Sequence, residues 1–341
     1  MESLTNNNQK GYRYVNVQAS PSYFNNNLTT NNGELYAYIN NMDQTPKVLI
    51  YNKDLVEKGE ISSPHVVEWK DQSECFGVNY VYAQDKWHLC ISTFKSCQIY
   101  NHNATRLLTQ VESKKKLAEG KVNIFLCATQ VFDKVDGKEF IAVGSSTGEI
   151  YQVTLNGTTY QRDIGFQMQD ESAVTCMSSE QRSRTLAVGN SNGYIILFEC
   201  DTQTEWKPLH SIQPQTEIPV TALQTLYRGD NLFVAGFANG SVKLITPAGQ
   251  IICNLSAHSR GLNALSVHPT RSVFATCSDD SFVNVFEVLG DKLDRIDVNL
   301  IMGSRVNDHM PVGVCFGGEG NNSLVVAPYD YKTMVIWNNI V

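Results

Sequence analysis

The sequence predicts an all-β fold: seven four-stranded units closed into one ring, with the outer strand of the last unit supplied from near the N-terminus. Three observations predict it. One local pattern recurs along the chain: a small residue, a polar turn with Gly or Asp, then an alternating strand. The residues that end those strands follow one another at intervals of 49, 53, 45, 47, 41 and 51, near the length of one four-stranded unit. The last unit stops one strand short, because four residues remain after Trp337. A unit of this kind cannot bury both of its faces alone, so the copies must pack against one another.

Taken in order, the first unit is a weak copy, with a strand pair around Leu35 to Ile39 and Val48 to Tyr51. The second, L-C-I-S-T-F-K-S-C-Q-I-Y, ends at Tyr100. Clearer copies are A-V-G-S-S-T-G-E-I-Y-Q-V (Ala142 to Val153), A-V-G-N-S-N-G-Y-I-I-L-F (Ala187 to Phe198) and V-A-G-F-A-N-G-S-V-K-L-I (Val234 to Ile245). The sixth ends at Phe286 and the last runs from Val325 to Trp337. Asn192-Gly193 and Asn239-Gly240 suit turns that need positive φ, and Thr147-Gly148 does so less well. The missing strand is expected from Tyr12 to Val17, where β-branched and aromatic residues are dense. Pairing it into the blade that ends at Trp337 would remove an open sheet edge. The first inner strand is then expected near Ser20 to Leu28. Residues 1–10 are expected to be a disordered tail and residues 11–341 one domain. Asn52 to Pro64, Glu112 to Lys121 and Gly303 to Asp308 read as connections longer than a hairpin needs, which marks function or partner contact.

A net charge of −7 argues against broad attraction to nucleic acid or anionic lipid, and Lys114 to Lys116 is the only basic run. Nine cysteines stand singly, with no C-x-x-C pair, so neither a zinc site nor a redox dithiol is signalled. Such usage suits a reducing compartment. No apolar run approaches the length of a membrane span, and the first ten residues lack the apolar core of a signal peptide. A cytoplasmic protein is expected, inserted in no membrane.

Ala257 to Val288 carries the fullest version of the unit, A-H-S-R-G-L-N-A-L-S-V-H-P-T-R-S-V-F-A-T-C-S-D-D-S-F-V-N-V-F-E-V. It opens on His258, ends its second strand in small residues, turns on Asp280 and finishes on Phe286-Glu287. With F-V-A-G-F-A-N-G-S-V-K-L from Phe233 and the terminal Y-D-Y, it resembles the WD40-repeat β-propellers. The resemblance implies a seven-bladed propeller in which His258, Thr276 and Asp280 form a structural hydrogen-bond set inside blade 6. Phe286 stands where the family has Trp and lacks an N–H, so that set is one donor short. A catalytic reading of His258 with Asp280 lacks a nucleophile.

No phosphate loop, zinc-protease helix, hydrolase elbow or sialidase box occurs, and the seven histidines do not cluster at ligand spacing. No enzyme activity, cofactor or metal is expected. The resemblance implies an intracellular protein whose partners are other proteins. Two roles leave the same marks: an adaptor or scaffold, and a structural subunit of a cytoskeletal or ciliary axonemal assembly. A third, an enzyme or small-molecule binder using the central channel, has less in its favour. The partner surface is expected where the loops leading into the inner strands emerge, around Arg260, Asp279, Met310 and Asp330, because loops on a rigid scaffold concentrate binding.

Overall fold

The computed structural model describes residues 11–59, 63–69, 72–113, 122–156, 159–203, 206–290 and 292–340. Among them the chain forms seven four-stranded antiparallel sheets, each a blade. The blades' inner strands are Thr29–Thr30, Cys75–Ala83, Phe125–Phe132, Val174–Glu180, Val220–Leu226, Leu262–Val267 and Pro311–Gly317. The outer strand of blade 7 is Tyr12–Asn16, which pairs with Thr333–Trp337 in the register Tyr12 to Trp337 and Asn16 to Thr333. Val15 and Val17 are buried there with Met334 and Ile336, so the closure rests on apolar burial as well as on ladder hydrogen bonds. The expected tail, residues 1–10, lies outside the described residues.

The recurring sequence pattern has a physical cause in the joints between blades. Each strand-ending residue sits on the third strand opposite a second-strand partner: Tyr36 with Tyr51, Leu186 with Phe198, Phe233 with Ile245, Phe274 with Phe286, Leu324 with Trp337. The small residue is where the next blade presses in. A Cβ on Gly144 would lie 2.5 Å from Val174, on Gly189 2.8 Å from Val220, and on Gly236 2.6 Å from Leu262. Each intruder opens the next inner strand, so Gly at this hinge is a packing requirement.

Blades 2 to 7 share a second device. Their inner strands skip one residue against the second strand, at Phe76, Leu126, Thr175, Thr221, Asn263 and Val312. A bulge leaves one residue unpaired in the ladder. Three of the freed carbonyls are taken by one segment: Thr221 accepts from Asn26 Nδ2, Asn263 from the Asn26 amide and Val312 from the Asn27 amide, each at 2.9 Å.

That segment corrects one expectation. Ser20 to Leu28 is not the first inner strand, which is only Thr29–Thr30. The asparagines fold across the mouth of the central channel, with Asn26 at φ 55°, and pair with blades 5, 6 and 7 where a strand would have paired with blade 1 alone. Gly303 to Asp308 is also corrected, since Asp297–Arg305 is a nine-residue outer strand that includes its first half. The connection after Asn52 holds a one-turn helix, Asp54–Glu57, that buries Leu55 and Val56. Its Val56 carbonyl accepts from Arg13 of the closing strand. Most of the Glu112 to Lys121 insertion lies outside the described residues.

Candidate functional site

The chain direction gives the ring two faces. Inner strands start at the upper face, where the loops between second and third strands also emerge. They end at the lower face, in the turns between first and second strands. The residues singled out in blades 6 and 7 all lie on the upper face.

In blade 6 the structure brings His258, Thr276 and Asp280 together. His258 Nδ1 lies 3.2 Å from both carboxylate oxygens of Asp280, and Nε2 lies 2.8 Å from the Thr276 hydroxyl. A carboxylate only accepts, so Nδ1 carries the proton and Nε2 accepts from Thr276. Asp280 accepts further from the main-chain amides of Ser259 and Phe282, both at 2.9 Å. Burial alone would raise its carboxyl, but these donors and His258 hold it below the usual carboxylate range. Burial lowers the pKa of His258 despite the neighbouring Asp280, which favours the neutral ring. Phe286 stacks on Phe274 at 5.1 Å, filling by apolar packing the place where a donor is missing. The three side chains fasten a loop to a turn and leave no room for a substrate between them.

Blade 3 fastens the same corner with residues that sequence reasoning missed. The Asp280 position is Thr147 there, and the carboxyl comes instead from Glu149, 2% exposed at the start of the third strand. One oxygen accepts from Asn123 Nδ2 in the preceding loop, from the Tyr151 hydroxyl at 2.8 Å and from Thr147 at 3.4 Å. The available signal was an acid two residues past the turn, at the head of a largely buried strand.

The four expected surface residues have different fates. Arg260 and Asp330 are exposed. Asp330 turns at φ 50° and donates its amide to the Pro21 carbonyl at 3.1 Å. Met310 is half-buried, with its carbonyl 2.8 Å from the Tyr329 amide. Asp279 is not a free loop residue: it accepts from the Tyr23 hydroxyl at 3.0 Å and from Asn263 Nδ2 at 2.8 Å. It therefore ties the segment over the channel to blade 6. Tyr23 in turn meets Tyr329 edge-on at 5.5 Å. Around the same rim His309 stacks on Tyr331 at 3.9 Å, and Tyr331 meets Tyr14 of the closing strand at 6.4 Å. Both aromatic groups join residues from the two ends of the chain, which is why no local motif announced them.

The channel holds about 550 Å³, lined by inner-strand side chains such as Tyr80, Leu126 and Gln224. Among the described residues no group of three or more His, Cys, Asp or Glu stands where it could hold a metal ion.

Comparison with known proteins agrees with this architecture. The family model for the WD domain, G-beta repeat, matches residues 249–287, which run from the outer strand of blade 5 into the third strand of blade 6. WD repeat domain 54 of Rattus norvegicus is 26% identical over 125 residues, 36% of either chain. WD repeat-containing protein 54 of Mus musculus is 27% identical over 129 residues, 37% of this chain and 38% of that one. Polyadenylation factor subunit 2 of Candida albicans is 33% identical over 112 residues, 33% of this chain and 20% of its own length. The matches thus span between a fifth and two fifths of those relatives. A chain of the crystal structure of the mitotic checkpoint complex superimposes with a TM-score of 0.72 at 14% identity, covering 96% of this chain and 94% of that one, a likeness of fold alone. The chain is a seven-bladed β-propeller that carries a WD repeat in blade 6 and resembles WD repeat-containing protein 54.

Proposed function

We propose that the protein is a non-catalytic scaffold that captures other proteins on the upper face of blades 6 and 7. One observation carries this reading: two groups of packed aromatic rings, Tyr23 with Tyr329 and Tyr331 with His309 and Tyr14, in blades that also expose Arg260 and Asp330. Aromatic residues and Arg are the side chains that interface cores favour, because they bury large area at small entropic cost. Tyr23 is 45% exposed, yet its hydroxyl is fixed to Asp279, so docking on it would freeze little new freedom. Polyadenylation factor subunit 2 is by its name part of a multi-subunit assembly, in keeping with a scaffold role. All nine cysteines are free and eight are buried, which supports a reducing, cytoplasmic setting.

The test is quantitative capture from cells of the chain's source, with the wild type and a double variant, Arg260→Glu with Tyr331→Ala. A discrete set of proteins held by the wild type and lost by the variant, at an unchanged melting temperature, is the expected outcome. An identical set on both would refute the assignment of this face.

A further inference from the structure

We propose that the lower face carries a binding site for a phosphoryl group, presented by a phosphorylated side chain of a protein partner. The site lies between the turns of blades 4 and 5, on the face opposite the aromatic groups. A cavity of about 350 Å³ opens there, lined by Gln181, Arg182, Tyr227, Arg228 and Asn231.

Two arginines from different blades, Arg182 and Arg228, line it, and no carboxylate is among its lining residues. Arg182 Nη1 donates to the Gly229 carbonyl at 2.6 Å, and Arg228 Nη2 donates to the Gly290 carbonyl. Neither arginine forms an ion pair among the described residues, whose bridges are made by Lys47, Lys53, Lys58, Lys134, Lys138 and His258. Arg228 Nη1 is buried and has no hydrogen-bond partner. An unmet buried donor on a cation is costly, and an acceptor arriving from outside relieves that cost.

The adjacent acid does not fill the place. Glu180 is 1% exposed and already accepts from the amides of Arg182 and Ser183, the Ser183 hydroxyl and Asn231 Nδ2. Burial alone would raise its carboxyl, but those donors hold it below the usual range, so it is committed to the turn. Asp230 is exposed on the next turn. Of the charged side chains here only the two arginines line the cavity, Glu180 and Asp230 lying outside its lining, in a chain of net charge −7.

Phosphoryl chemistry fits better than a carboxylate. A carboxylate offers two oxygens in one plane and is satisfied by one guanidinium fork. A phosphoryl group offers three oxygens around a tetrahedron and close to two charges, so it can bridge forks approaching from two blades. Tyr227, 42% exposed, supplies an apolar wall against which a partner's main chain can lie.

The experiment titrates the whole chain with O-phospho-L-serine, inorganic phosphate and L-glutamate, read by calorimetry. Saturable phosphoserine binding is expected, with phosphate weaker and glutamate at least about tenfold weaker. Arg182→Gln and Arg228→Gln should each lower phosphoserine affinity about tenfold or more, and Arg260→Gln on the other face should not change it. Should Arg228→Gln fail to fold, Arg182→Gln decides, because Arg182 lies on the exposed turn. Absence of phosphoserine binding, or binding that survives Arg182→Gln, overturns the site. Glutamate binding as tightly overturns the phosphoryl assignment, and inorganic phosphate binding as tightly overturns the partner side chain as its source.

Discussion

Blades 6 and 3 solve one problem with different residues. Both must hold the loop leading into the inner strand against the turn between the second and third strands. Blade 6 does so with Asp280 in the turn and His258 in the loop, and blade 3 with Glu149 one strand-step later and Asn123 in the loop. In each, one carboxyl gathers donors from both segments. The fold constrains the corner to hold an acceptor with many lone pairs, and it leaves open which residue supplies it. The residues that the repeat's family model matches, 249–287, hold the Asp280 form of this corner. Blade 3 meets the same demand in a form the pattern does not describe.

The largest effect that would break this comparison is at blade 3. Glu149→Ala removes the acceptor of Asn123 Nδ2 and of the Tyr151 hydroxyl inside a 2%-exposed site, and should cost about 3 kcal/mol in denaturant unfolding. Asp280→Ala should cost about 1–3 kcal/mol, because its other donors, the Ser259 and Phe282 amides, can turn to water. In a double-mutant cycle His258→Ala and Asp280→Ala should be strongly non-additive, and additive losses would mean the corner is not a unit. A Glu149→Ala loss within about 0.5 kcal/mol would mean that blade 3 is held by packing alone.

Acid weakens the blade 6 corner. His258 has its folded pKa below the unfolded value of 6.5. The unfolded chain therefore binds more protons as pH falls through about 6.5, and stability declines from there downward. Burial lowers His88, His268 and His309 in the same direction, so the whole chain shares the trend. His258→Gln should flatten part of the decline between pH 6.5 and 5, and an unchanged slope would remove His258 from the account. Asp280, held below its ordinary 3.8, adds stability that is present above that pH and lost below it.

The smallest effect sharpens the comparison. Phe286→Trp would restore an N–H donor to blade 6 but must enlarge a ring stacked 5.1 Å from Phe274. Donor gain and overpacking should offset to within about 1 kcal/mol by thermal unfolding. A clear stabilisation beyond that would show that the three-membered set lacks its fourth group.

Much of the ring was legible because its cause is periodic. Gly144, Gly189 and Gly236 are hinges in the sequence and joints in the structure for one reason, the incoming Val174, Val220 and Leu262. The closing strand was legible as well, since Trp337 left its sheet one strand short and Tyr12 to Val17 had the composition to complete it. Illegible were the contacts that join distant segments without a period. Asn25 to Asn27 carries no strand signal of its own, and its partners at Thr221, Asn263 and Val312 exist only because three bulges free their carbonyls. The same holds for Asp279, whose tie to Tyr23 spans 256 residues. A loop position read as partner surface is thus also a fastening, and charge reversal there would disturb the fold as well as any partner.

The most direct measurement for the scaffold reading is hydrogen exchange of the protein with and without a captured partner. Protection is predicted in residues 258–262, 279–282, 306–310 and 329–332, with the outer strands of blades 2 to 5 unchanged. Protection confined to those outer strands, with the upper face of blades 6 and 7 exchanging as in the free protein, would contradict it.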